Sequence, residues 1–240
     1  MIPQTATELA HYFDHTLLSA SVTSADIQKL CDEAAKYHFA TVCVNPRWIP
    51  LTSDLLHGKG VGVCSVVGFP LGAELPRIKA IEAEAAMMAG ADEIDMVADL
   101  AAILEGDGDR LSQEMAAVLK VCRSIRPAVP LKVIVESAAL TEAQLAFVCQ
   151  IAARVGVDFL KTSTGLHPAG GATVEAVRFM AAAAPKCRIK AAGGIRTVEQ
   201  ALAMIDAGAT RIGSSACVQI VQAFDSHRAD DSTPTPTASS

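Results

Sequence analysis

The chain has 240 residues, of which 51% are apolar and only 4% aromatic. That length suits one large α/β domain and is too short for two generous ones. Twenty basic residues against 26 acidic ones leave a net charge of −6, which argues against nucleic acid as a bulk partner.

Eight short β-rich runs follow one another along the chain: 12–18 (YFDHTLL), 40–44 (ATVCV), 61–67 (VGVCSVV), 92–97 (DEIDMV), 131–136 (LKVIVE), 157–162 (VDFLKT), 188–192 (RIKAA) and 210–214 (TRIGS). Ala-rich segments with helical spacing lie between them, such as PRIKAIEAEAAMMAG and TEAQLAFVCQIAARVG. Thr141 and Thr197 stand where helices start, and Gly90, Gly156 and Gly208 stand where they stop. Eight strand–helix units in about 220 residues have the length and rhythm of a (β/α)8 TIM barrel, a single domain over 1–224. A doubly wound sheet is the alternative, because periodicity does not give strand order. The segment 225–240 (DSHRADDSTPTPTASS) is polar and rich in Ser, Thr and Pro, and is expected to be disordered.

The seven cysteines include no Cys-x-x-Cys pair and sit mostly in apolar runs, which fits a reducing, cytoplasmic setting. The opening MIPQTATELA has no basic stretch followed by an apolar core, so no signal peptide is expected. The longest apolar runs are broken well short of a membrane span.

Barrel strands are buried on both faces, and side-chain parity sorts their residues. In TVCVN, Val42 and Val44 oppose Thr41, Cys43 and Asn45; in DEIDMV, Ile94 and Met96 oppose Glu93, Asp95 and Val97. The simplest assembly puts the aliphatic set under the helices and Asp95, Lys132, Lys161 and Lys190 inside. Three lysines and several carboxylates make a poor packed core but a suitable reaction site. Lys161 ends an apolar run, and Lys190 is expected one strand over. An ordinary lysine, with pKa about 10.4, is neutral in roughly one molecule in 2,500 at pH 7. A neighbouring ammonium and partial desolvation both favour the neutral amine that imine chemistry needs.

Two glycine loops, AAGGIRT (191–197) and RIGSSA (211–216), follow the last two strands and precede helices. Gly193, Gly194 and Gly213 let backbone N–H groups approach an anion, and barrels of this kind often bind phosphate there. The residues alone therefore indicate a Schiff-base enzyme acting on a phosphorylated substrate. Three rivals remain. A metal-dependent aldolase finds no ligand spacing among the histidines at 11, 15, 38, 57, 167 and 227. Another phosphate-binding barrel aldolase or isomerase would not need Lys161 and Lys190 together. A non-catalytic binding module leaves the buried charge unexplained.

FDHTLL, CVNPRWIP, GFPLG, ADEIDMV, LKVIVES, FLKTSTG, KAAGGIRT and RIGSSA, in this order over roughly residues 10 to 220, resemble deoxyribose-phosphate aldolase, a class I aldolase family. The resemblance implies a (β/α)8 barrel that reversibly cleaves 2-deoxy-D-ribose 5-phosphate to acetaldehyde and D-glyceraldehyde 3-phosphate, in deoxyribonucleotide catabolism. It implies neither metal nor organic cofactor, and small sugar and aldehyde substrates rather than nucleic acid or membrane. Lys161 matches the Schiff-base lysine, Lys190 the lysine that tunes it, and Asp95 the aspartate that handles protons with Lys190 through a water. Asp14 and Lys132 match inward polar residues of the charged network; Thr164, Gly165, Gly193, Gly194, Gly213 and Ser215 fall at substrate and phosphate positions. Cys43 falls where some members carry a thiol that aldehydes trap. Two features depart from the family. The only tyrosines are Tyr12 and Tyr37, so the tail offers no phenol, and Ala216 replaces the second serine of the last loop. The resemblance, together with uncovered helix faces, also implies a homodimer.

Overall fold

The computed structural model describes residues 2–231. Eight strands close into a barrel in sequence order, every neighbouring pair parallel. The strands are β1 (Phe13–Leu17), β2 (Thr41–Val44), β3 (Gly62–Val67), β4 (Glu93–Val97), β5 (Leu131–Ile134), β6 (Phe159–Lys161), β7 (Arg188–Ala192) and β8 (Ala209–Ser214). Pairing of β1 with β8, Asp14 opposite Gly213, closes the ring and rules out the doubly wound sheet.

Outside the barrel run α2 (Ser24–Tyr37), α3 (Ile49–Leu56), α4 (Pro76–Met88), α5 (Leu100–Glu105) and α6 (Gly108–Cys122). They are followed by α7 (Glu142–Val155), α8 (Val174–Ala183), α9 (Val198–Asp206) and α10 (Cys217–Asp231). A short helix, α1 (Ala6–Ala10), precedes β1 and packs on α10. Thr141 and Thr197 cap α7 and α9 with full capping boxes, their hydroxyls accepting from the N–H groups of Gln144 and Gln200. Gly156 closes α7 in the left-handed conformation.

The strand bounds lie within two residues of those expected from sequence. β5 ends at Ile134, two residues early, because Glu136 takes a left-handed backbone (φ 54°, ψ 53°) and turns the chain. The backbone of α10 stays helical through Asp231, so 225–231 is helix; the rest of the expected disordered tail lies outside the described residues. Among the described residues no helix is long and apolar enough to cross a membrane. All seven cysteines are free and buried.

The parity assignment is realised in the packing. Val42, Val44, Ile94, Met96 and Val133 belong to the large core between strands and helices. Cys43, Cys64 and Val66 form a separate small apolar cluster that the large core does not include. Phe159 is buried beside the charged side chains: the Arg188 guanidinium lies 3.9 Å from its ring centre, Arg211 5.7 Å and the Lys132 amine 6.0 Å.

Candidate active site

Adjacent strands bring the inward charged residues into one layer. The register sets Asp95 beside Lys132 and Lys161 beside Lys190. An irregularity between Ile189 and Lys190, with Thr210 as the extra residue on β8, brings Lys190 opposite Arg211.

Asp95 is the hub. Its Oδ1 accepts from Lys132 Nζ at 2.7 Å, and its Oδ2 accepts from Lys161 Nζ at 2.8 Å and Lys190 Nζ at 2.7 Å. Lys190 also donates to Asp14 Oδ2. Arg211 grips both sides of the layer, reaching Asp14 Oδ1 at 2.5 Å and forking onto Glu93 at 3.0 and 3.2 Å. Lys132 closes the circuit to Glu93 at 2.7 Å. Burial works against charge on Asp95, yet Lys132, Lys161 and Lys190 hold it well below the usual carboxylate range. The same contest, won by Lys190, Lys132 and Arg211, holds Asp14 far below that range. Burial likewise opposes charge on Lys190, but Asp14 and Asp95 outweigh it and hold its amine well above the ordinary lysine value. Lys190 stands one strand over from Lys161, and both donate to the same Asp95 oxygen.

A cavity of about 810 Å³ opens above this layer. Of the residues expected at the site, Lys161, Thr164, Gly165, Gly193, Gly194, Gly213 and Ser215 line it. Asp14, Asp95, Lys132 and Lys190 do not; their side chains are fully buried, whereas that of Lys161 is 3% exposed. Lys161 is thus the network's contact with the cavity. Asp14 and Lys132 sit beneath the floor, bonded to other charged groups, rather than on the cavity wall. Cys43 is fully buried and is not part of the lining.

Gly213 has a second role besides the loop geometry expected of it. A Cβ there would stand 3.2 Å from both Lys190 Cε and Ala192 Cβ, so the missing side chain leaves room for the Lys190 stem. Gly171, absent from the sequence-based site, packs so tightly on Gly193 that a Cβ would meet the Gly193 carbonyl oxygen at 2.2 Å. That approach ties the loop after β6 to the loop after β7. Glu136 supports the first of these loops: its Oε1 accepts the Thr164 N–H at 2.9 Å. Ser214, buried, donates to the Ile195 carbonyl at 2.7 Å and joins the two glycine loops.

Arg211, Glu93, Cys64 and Arg196 were not among the expected site residues. Arg211 shares parity with Gly213 on β8, and Glu93 with Asp95 on β4, so alternation carried a signal for both. Cys64 reads as an ordinary core thiol until Lys132 and Asp95 are seen 3.2 Å from its sulfur. Arg196 lies in a glycine loop whose direction only the fold supplies; it lines the cavity beside Gly194.

The chain that builds this barrel and its buried lysine–carboxylate layer is similar in sequence and fold to known proteins. The family described as DeoC/LacD family aldolase matches residues 9–223. The chain belongs to that family. The aldolase is 44% identical over 215 residues to deoxyribose-phosphate aldolase of Actinobacillus succinogenes, covering 90% of this chain and 94% of the relative. It is 48% identical over 218 residues to that of Thermococcus gammatolerans, covering 90% and 96%. A solved deoxyribose phosphate aldolase from Aeropyrum pernix, described as a unique tetrameric structure, superposes with a TM-score of 0.86 at 33% identity, covering 93% of each chain. The (β/α)8 barrel and the aldolase class are those expected from the sequence.

Proposed function

We propose that the aldolase reversibly cleaves 2-deoxy-D-ribose 5-phosphate to acetaldehyde and D-glyceraldehyde 3-phosphate through an imine on Lys161, in the breakdown of deoxyribonucleotides. The observation that carries this reading is the position of Lys161. It is the one lysine of the network that lines the cavity, and it has a single carboxylate partner, whereas Lys190 has two and Lys132 three within 3.8 Å. The names of the relatives supply the sugar phosphate, and the glycine loops supply a cradle for its phosphate.

The charge count favours a reactive amine. Four cations, Lys132, Lys161, Lys190 and Arg211, face three carboxylates, Asp14, Glu93 and Asp95, which leaves one surplus positive charge in a buried layer. Among its amines, Lys161 has the fewest carboxylate partners and the open path to the cavity. In the cleavage direction, neutral Lys161 attacks C1 of the open-chain sugar, and loss of water gives the protonated imine. Removal of the C3 hydroxyl proton lets the C2–C3 bond break, its electrons passing into the imine. Glyceraldehyde 3-phosphate leaves, a proton returns to C2 of the enamine, and water hydrolyses the imine to acetaldehyde and free lysine. Asp95 and Lys190 are the relay for these protons. Asp95 Oδ2 accepts from both Lys161 and Lys190, so it adjoins the nitrogen that becomes the imine and the second lysine at once. Phosphate held at the glycine loops orients the reacting carbons from a distance.

Borohydride reduction in the presence of acetaldehyde should attach one ethyl group, at Lys161, detectable by peptide mass spectrometry. A label elsewhere, or none, ends the imine reading.

A homodimer belongs to the same proposal. Leu75, Ile78, Ile81 and Met88 expose an apolar stripe along α4. Arg77 and Glu84, also exposed, lie seven residues apart along one edge. A second copy packed antiparallel about Ile81 would bury the stripe and set each arginine against the other copy's glutamate. Ile81→Lys should convert the dimer to monomer in light scattering; a wild-type monomer at micromolar concentration would remove this part.

A further inference from the structure

Arg211 and Glu93 stand apart from the residues that face substrate. Neither lines the cavity, and each side chain is 13% exposed. Yet both are linked to Lys161, which does line it: Arg211 through Asp14, Lys190 and Asp95, and Glu93 through Lys132 and Asp95. A structural plug would need only packing, and Phe159 already fills the space beside them. A bidentate ion pair at this depth instead adds one fixed charge of each sign to a ring whose remaining members carry three amines and two carboxylates.

We propose that Arg211 and Glu93 are positioning residues which set the charge balance of the lysine–carboxylate layer, and with opposite sign set the pH range over which Lys161 forms its imine. The inference rests on the reading of Lys161 as the imine-forming lysine. The surplus of one positive charge is the quantity being set. Removing Arg211 takes the layer to zero, so the last proton on the amines is held to higher pH. Removing Glu93 takes it to +2, so that proton leaves at lower pH.

The groups facing Lys161 from each neighbouring element are consistent with this assignment. Asp14 and Asp95 come from β1 and β4, Lys132 from β5 and Lys190 from β7. The thiols of Cys43 and Cys64 come from β2 and β3; hydrogen bonding from Cys64 pulls Cys43 below its ordinary value, and burial pushes Cys64 well above it. At the cavity side stand Arg196 and, behind Thr164, Glu136; Arg188 covers the Phe159 ring. Arg211 and Glu93, beyond these groups, combine a direct ion pair to the layer with a position off the cavity lining.

The test is the acid limb of imine formation, read as ethyl label on Lys161 against pH with acetaldehyde and cyanoborohydride. Wild type, Arg211→Met, Arg211→Lys, Glu93→Gln and the double variant Glu93→Gln/Arg211→Met are compared at each pH. Arg211→Met should move the limb up, and Glu93→Gln down, each by on the order of one pH unit. Arg211→Lys keeps the charge, and the double variant removes one of each sign, so both should return near the wild-type limb. Limbs that stay put while rates fall, or that move the same way in both single variants, overturn the proposal and leave Lys161 as the imine site. Should Arg211→Met not fold, the direction of the Glu93→Gln limb decides alone, an unmoved or rising limb overturning it. Absence of label in the wild type would instead overturn the imine reading and this inference with it.

Discussion

Lys190→Leu is expected to lower kcat/KM for deoxyribose phosphate cleavage by roughly 10³-fold or more while the barrel still folds. Lys190 touches both Asp14 and Asp95, so under the proposed mechanism its loss removes a proton carrier and one positive charge of the layer. The fold survives because leucine fills most of the lysine stem, and because each carboxylate keeps other cations. Asp14 retains Arg211, and Asp95 retains Lys132 and Lys161. Circular dichroism and a coupled assay for glyceraldehyde phosphate check both halves. A nearly unchanged rate in a folded variant would remove Lys190 from the mechanism.

Asp95→Asn should cost both activity and stability. The carboxylate is fully buried and accepts from three ammonium groups. Replacing it leaves those cations around a neutral amide, and breaking buried pairs of this kind costs about 3–5 kcal/mol. For a chain of this size that lowers Tm by roughly 6–20 °C. Activity should fall at least as far as in Lys190→Leu, since the proposed relay would lose its acceptor. The pH dependence adds a sign. In the folded protein Asp14 and Asp95 both lie well below the ordinary carboxylate value, so the stability they confer is fully present above about pH 4. It is lost as the pH falls below that value toward their folded-state values. Wild-type Tm should therefore drop steeply in acid, and Asp95→Asn should show a lower but flatter profile over the same range. A steep acid profile in the variant, matching wild type, would show that Asp95 is not the group responsible.

How much of the site was legible depended on the kind of signal. Lys161, Lys190 and Asp95 could be singled out because charge inside a doubly buried strand violates the expected pattern, and a violated pattern is visible in one dimension. Arg211 obeyed the same alternation but lay in TRIGS, where the glycine is the stronger one-dimensional signal. Its role depends on two partners 118 and 197 residues away in sequence. Asp14 and Lys132 are inward and polar, and that they lie under the floor rather than on the cavity wall depends on how the strands pack. Glu136 gave no sequence signal, since a left-handed backbone is cheap to read only at glycine.

The sequence by itself determined the eight strand–helix units, the inward face of several strands, and the presence of several buried charges, because periodicity and capping act over a few neighbouring residues. Tertiary structure alone decided that the sheet closes, with β1 against β8, and which ammonium meets which carboxylate. Those outcomes rest on strand order and register, which couple residues nearly 200 positions apart. One Asp95 therefore serves three lysines, and only Lys161 among them reaches the cavity. That selection follows from where each side chain ends in the closed barrel, which the linear sequence does not carry.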